Sequence, residues 1–368
     1  MANLMDYLNW RGDLSFRDSP INDVDSLIFS NLSYVAFDTI LPSPWEPEQM
    51  PLWRASEKYW EQNREREQLE RFSLIKMAPF SMRRMAETNR FRDIPLMYYQ
   101  NSVNSQVGSQ FSAMCMQLPD QKYYIAFRGT DDTIIGWREN FRMSYEMVPA
   151  QQKAVDYLNY VGERCRGELW LGGHSKGGNL AVYAAANARP AVQKRIRKIY
   201  NFDGPGFSQR MLNSERYGKI ADRIRKYVPT DSVIGMLLEQ DENYQVVSSM
   251  GQGLQQHDPV NWRILGDQFV YMPREQKTGQ RINQMVHDWI YGLTPEERKQ
   301  VVEAVFQAME DSQIETLNDL AKNQWKKKLW LVRGKLRENQ ECYGMVKKAG
   351  RQMLHEFQKI ITGRVRSG

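Results

Sequence analysis

One pentapeptide constrains this chain more than any other feature: Gly173-His174-Ser175-Lys176-Gly177. A short apolar run, Leu169-Trp170-Leu171, leads into it, and an Ala-rich stretch from Asn179 to Ala188 leads out. Gly-x-Ser-x-Gly acquires meaning only between a strand and a helix, and both flanks are present. At such a corner the serine occupies a strained turn. Gly173 and Gly177 leave room for backbone crowding that a Cβ would block, and Gly178 lets the helix approach the sheet. Ser175 is therefore expected to be a nucleophile. The backbone N–H of Lys176, at the positive end of the helix, is expected to face the site where an oxyanion forms. The Lys176 side chain either places a cation beside the site or points to solvent with its backbone alone mattering, and the second reading is preferred. A glycine-rich phosphate loop is the competing reading, but no Gly-Lys-Ser/Thr follows a four-residue gap as in a P-loop.

The surrounding pattern predicts the architecture. Phe111 to Leu118 alternates, ends at Pro119-Asp120, and is followed by Tyr123 to Phe127, a hairpin signal. A helix is expected from about Gln151 to Arg166, then strands at 168–172, 199–202, 224–228 and 244–247, with helical segments between them. Strands alternating with helices at these lengths make a mostly parallel sheet with helices on its faces, here of the α/β-hydrolase type. Residues 42–93 read as helices packed on one side of that sheet, after a helical stripe from Val24 to Val35. Thr294-Pro295-Glu296-Glu297 opens a helix with an N-cap Thr, Pro at the first position and acids in the first turn. The expected division is a hydrolase domain over 1–290 and a basic helical extension over 291–368.

A serine on this corner needs a base and an acid, which follow it in the order Asp or Glu, then His. His257 comes after the strand at 244–247 and a short polar loop, and is the expected base; His287 lies in a helical run and His355 in the basic tail. His174 reads as a structural residue of the turn. Two aspartates end successive strands after the serine, Asp203 and Asp231. The second is the usual place of the acid, so Asp231 is expected to orient His257, and Asp203, in Asp203-Gly204-Pro205, reads as a turn former.

Composition removes other classes. No apolar run approaches the ~20 residues of a membrane span, and the first residues lack the basic and apolar regions of a signal peptide. Three widely spaced cysteines suit neither a disulfide framework nor a zinc site, which points to a reducing, cytoplasmic setting. No ligand-spaced cluster implies a metal, and no cofactor is implied. The net charge of +6 is concentrated at one end: from Lys322 onward there are thirteen Lys and Arg against three Glu. There Cys342, Val346, Ala349, Met353, Phe357 and Ile360 recur at helical steps among basic residues. Such a stripe suits packing on the main domain with a solvated basic face, or docking on an anionic membrane surface or an acidic partner. Nucleic acid is not expected, since no recognition module accompanies the charge.

Ile125-Ala126-Phe127-Arg128-Gly129-Thr130-Asp131-Asp132, with Trp137 shortly after, resembles the Phe-Arg-Gly-Thr segment of class 3 lipases, and Gly173 to Gly178 resembles their Gly-His-Ser-x-Gly-Gly elbow. A closer resemblance is to the bacterial domain-of-unknown-function family 2974, carried by Asp6-Tyr7-Leu8-x-Trp10-Arg11-Gly12-Asp13, by His174 to Ala181 and by His257-Asp258-Pro259-Val260-x-Trp262. These resemblances imply the α/β-hydrolase fold and its site and supply no substrate; the expected activity is cleavage of a small-molecule or lipid carboxylic ester through Ser175, His257 and Asp231. Thr130 would join Lys176 in the oxyanion hole, and Phe141 to Pro149 is the candidate for a lid. Lys176 departs from the lipase pattern, which has an apolar residue there. The same residues would serve an acyltransferase or a thioesterase, and a non-catalytic scaffold with a relic site is the alternative of another class.

Overall fold

A computed structural model of the chain describes residues 2–46, 48–64, 77–104, 109–130, 133–143, 145–230, 232, 234–238, 243–273, 293–314, 325–338 and 344. Eleven strands run along the described chain: β1 (Met50–Pro51), β2 (Pro95–Asn104), β3 (Ser109–Leu118), β4 (Lys122–Phe127), β5 (Glu168–His174), β6 (Ile196–Phe202), β7 (Ile224–Pro229), β8 (Tyr244–Val247), β9 (Ile264–Leu265), β10 (Gln268–Phe269) and β11 (Tyr271–Met272). Nine of them form one sheet in the order β1-β2-β3-β4-β5-β6-β7-β8-β11. From β4 to β8 every pair is parallel, while β1 to β4 and β8 to β11 pair antiparallel. The expected hairpin is β3–β4, turned by Asp120 and Gln121, both at positive φ.

The longer helices are α1 (Leu4–Arg11), α2 (Asp23–Leu32), α3 (Leu52–Gln62), α4 (Met77–Ala86), α5 (Ile134–Arg142), α6 (Pro149–Arg164), α7 (Lys176–Asn187), α8 (Pro295–Asp311) and α9 (Trp325–Glu338). Two apolar clusters divide them. One sheet face packs on α1 to α4 through residues such as Leu27, Phe29, Met82 and Tyr124. The other packs on α5, α6 and α7 through Leu158, Leu171 and Leu180, and takes Val301, Val302 and Phe306 of α8 into the same core. The central strands are thus covered on both faces, which is why they read as continuous apolar runs. This is the α/β-hydrolase arrangement. Thr294 caps α8 as expected, its side chain accepting from the Glu297 N–H while Glu297 reaches back to the cap.

Strand β2 was not expected. It breaks its own alternation, with Tyr98 at φ 53° and a register shift between Met97 and Gln100, so its period-two signal is lost. The helical run holding His287 and the tail stripe from Cys342 to Ile360 lie outside the described residues. Among the described residues no helix is long and apolar enough to cross a membrane.

Candidate active site

Ser175 stands between β5 and α7 with φ 57° and ψ −134°, a conformation that L residues rarely adopt. Its N–H donates to the Phe202 carbonyl on the neighbouring strand (2.9 Å), and its carbonyl accepts from Gly178 (2.9 Å). A Cβ on Gly173 would collide with the Gly177 backbone, and one on Gly177 would collide with the Phe127 carbonyl. The glycines are therefore required by the closeness of this turn, as the pattern implied. Lys176 is the first residue of α7, so its N–H is among those that a helix leaves without an internal partner.

Across from the serine, β4 ends and leads through Arg128-Gly129 to Thr130. A side chain on Gly129 would strike the Tyr34 hydroxyl, and the His174 carbonyl and Ser175 Cβ lie close behind. The Arg-Gly-Thr segment thus lies against the nucleophile turn. Thr130 is buried, and its hydroxyl donates to Asn140 Oδ1 on α5 (2.9 Å). With that proton committed, an oxyanion would draw on the Thr130 backbone N–H.

His257 closes a short 3₁₀ turn (Gly253–His257) and is buried. Its loop is held in two ways. Asp258 accepts from the Val260 N–H at 3.0 Å, fixing the turn at Pro259, and the fully buried Trp262 donates its indole N–H to the Gln256 carbonyl at 2.8 Å. These contacts give the His-Asp-Pro-Val-x-Trp run a physical reason.

The carboxylate on His257 is Asp203. Its Oδ2 lies 2.6 Å from His257 Nδ1, and its Oδ1 accepts the Ser232 hydroxyl. Asp203 is fully buried, follows β6 directly, and sits at φ 51°, with its N–H on the Tyr227 carbonyl (2.8 Å). The left-handed turn redirects the chain at the strand end, and Asp tolerates that conformation better than most residues. Lys226, buried beneath, donates to the Gly204 carbonyl (2.9 Å) and the Gly235 carbonyl (2.9 Å). Asp231, the expected acid, lies outside the described residues; the carboxylate on His257 Nδ1 belongs to Asp203, expected only to form a turn.

His174 does more than shape the turn. Its Nε2 lies 2.7 Å from the His257 carbonyl and its Nδ1 2.9 Å from the Tyr34 hydroxyl, with the two imidazole centroids 4.4 Å apart. A Tyr34 hydroxyl donating to Nδ1 leaves the proton on Nε2, which donates to the carbonyl. Burial pushes the His174 pKa well below its usual value, reinforced by the neighbouring His257 and opposed by the bond to the His257 carbonyl. The residue before Ser175 thereby anchors the loop that carries His257. Among the described residues no hydrogen bond joins Ser175 Oγ to the His257 ring; such bonds tighten on substrate binding.

The Lys176 side chain does not face solvent. It is fully buried, its Nζ 2.7 Å from Glu139 Oε2 and 2.8 Å from the Gln110 carbonyl. Of the two readings the solvent-facing one fails and the cation lies beside the Ser175 turn, because its partner sits 37 residues earlier, on α5. That helix is tied in turn to α8, where Glu303 pairs with Arg138 and Arg142 and accepts from Tyr145, and Phe306 packs on Phe141. The candidate lid at 141–149 therefore begins on an anchored helix. Among the described residues no cluster of His, Cys, Asp and Glu could hold a metal.

Residues 85–307 match the model of the Mbeg1-like family. Among solved structures, the M37 lipase is similar at 14% identity and a TM-score of 0.35, over 57% of this chain and 67% of that one. A Rhizomucor miehei lipase–propeptide complex is similar at 15% and 0.32, over 44% of this chain and 58% of that one. A triacylglycerol lipase described as having a serine protease triad is similar at 12% and 0.37, over 62% and 80%. No curated protein matches the sequence.

Proposed function

The chain belongs to the Mbeg1-like family, a class 3 lipase-like family, and on that premise we propose that it is a serine hydrolase cleaving carboxylic esters through an acyl-enzyme on Ser175. The observation that carries this reading is the buried Asp203–His257 hydrogen bond, held by His174 against the strained serine turn.

Ser175 Oγ attacks the ester carbonyl carbon while His257 Nε2 takes its proton. Asp203 keeps the proton on Nδ1 and stabilises the imidazolium. Negative charge on the carbonyl oxygen is met by the N–H groups of Lys176 and Thr130. The imidazolium then protonates the leaving alkoxide. Water, deprotonated by His257, attacks the acyl-enzyme and releases the acid. Asp203 replaces Asp231 as the acid of this triad. Handing the acyl group to another acceptor, or starting from a thioester, would use the same residues.

The test is labelling by a fluorophosphonate, wild type beside Ser175→Ala and His257→Ala, with p-nitrophenyl esters of increasing chain length run in parallel. Labelling and esterase activity present in the wild type and lost in both variants are expected. A well-folded wild type that neither labels nor turns over any ester would overturn the hydrolase reading and favour a relic-site scaffold.

A further inference from the structure

The buried cation beside the nucleophile has no part in the proton transfers just described. A lysine that is fully withdrawn from solvent is uncommon and needs a partner, which here is Glu139, itself 1% exposed. A buried ion pair is seldom a net gain over apolar side chains of the same volume, because desolvation offsets its attraction. The lipase pattern that this chain resembles has an apolar residue after the serine. Stability alone therefore gives little reason for the pair, and its location gives another.

Lys176 provides one expected oxyanion donor through its own N–H. Glu139 immediately precedes Asn140, whose Oδ1 receives the hydroxyl of Thr130, the other expected donor. Gln110 of β3 bridges both sides. Its carbonyl takes Lys176 Nζ, its N–H donates to Glu139 Oε2 (3.3 Å), and its side-chain amide donates to Thr133, which caps α5. A closed circuit thus runs from the elbow through Lys176 to α5, through Asn140 to Thr130, and back across the reacting serine.

We propose that Lys176 and Glu139 are a positioning pair that fixes the two halves of the oxyanion hole, the α7 N-terminus and the Thr130 loop, at the spacing the transition state requires. The inference rests on the hydrolase reading above. Neither side chain touches substrate; they act through the backbone at 176 and through α5. Oriented donors work because their geometry is set before charge develops, so a shift of about 1 Å can cost on the order of 10²-fold in rate with little change in substrate affinity.

The test compares kcat and KM on a soluble p-nitrophenyl ester, with melting temperature, for the wild type, the double variant Lys176→Met/Glu139→Gln and the conservative variant Glu139→Asp. The double variant leaves no unpaired buried charge. It is expected to fold, with KM within about twofold of wild type and kcat lower by roughly 10²-fold. Glu139→Asp keeps both charges but shortens the reach, and is expected to lower kcat by roughly tenfold at unchanged KM. If the double variant fails to fold, Glu139→Asp decides alone. A folded variant with wild-type kcat, or one in which only KM moves, overturns the proposal and leaves the pair a packing feature. A wild type unreactive toward fluorophosphonate overturns the hydrolase reading and this proposal with it. A reactive wild type beside an unimpaired double variant overturns this proposal alone.

Discussion

Asp203 Oδ2 and His257 Nδ1 lie 2.6 Å apart in a buried setting, although 54 residues separate them in sequence and each sits on its own loop. An aspartate so placed selects the imidazole tautomer that can accept the serine proton. Asp203→Asn is expected to lower kcat by about 10⁴-fold while the fold persists, since the amide favours the wrong tautomer. Asp231→Asn is expected to change kcat by less than about tenfold. Steady-state kinetics on one ester, with circular dichroism as the control for folding, checks both. A larger loss at Asp231 would return the acid to that position.

The turn at Ser175 stores strain that a glycine would release. With φ 57° and ψ −134°, Ser175 occupies a region open mainly to glycine. Ser175→Gly is expected to be inactive yet more stable than Ser175→Ala, by about 1 kcal/mol. Chemical denaturation of the two variants measures the difference, and equal stabilities would show that the turn is unstrained.

Tyr34 lies outside the span matched by the family model, yet its hydroxyl occupies the space beside Gly129. Gly129→Ala is expected to destabilise the protein by roughly 1–3 kcal/mol through overpacking. Tyr34→Phe in the same chain should recover part of that loss, because the hydroxyl goes while the His174 carbonyl and Ser175 stay in place. A double-mutant cycle gives the coupling, and strict additivity would argue against the contact.

His174 makes stability depend on pH in a defined direction. Its folded pKa lies well below the unfolded value near 6.5. Below about pH 6.5 the unfolded chain therefore takes up a proton that the folded chain refuses, so this contribution is present above that pH and is lost as pH falls. Melting temperatures between pH 8 and pH 5 should fall more steeply for the wild type than for His174→Gln. Parallel curves would place the titration elsewhere.

Much of the fold could be read along the chain because its signals are local. The β3–β4 hairpin, the strand-turn-helix around Ser175 and the Thr294 cap each depend on residues within a few positions of one another. Of the proposed site, the strained turn at Ser175 and the buried His257 loop were legible, and so was the Arg-Gly-Thr segment that lies against them. What escaped depends on distance in sequence. In the sequence Asp203 and Asp231 each follow a strand-like run and differ in no local property that assigns the role; the left-handed turn at Asp203 sends its carboxylate to a ring on another loop. Lys176 reads as a surface residue until Glu139 is seen behind it, and His174 as a turn residue until Tyr34 and the His257 carbonyl are seen on its two nitrogens. Burial of a polar group is decided by its partner, and partners far apart in sequence leave no local pattern.

The bond from Tyr34 to His174 spans 140 residues, and the one from His174 to the His257 carbonyl spans 83. Loops of that size close late, since the chain gives up their entropy before the contacts reward it. A nascent chain emerging from the ribosome would hold the serine long before it held the base, and fragments ending before residue 257 would carry the elbow without chemistry. On the proposed mechanism, hydrolytic competence is thus withheld until β5, β6 and the His257 loop are in place. If the proposed activity holds, turnover of a reactive ester would then report that the chain from Tyr34 to His257 has come together.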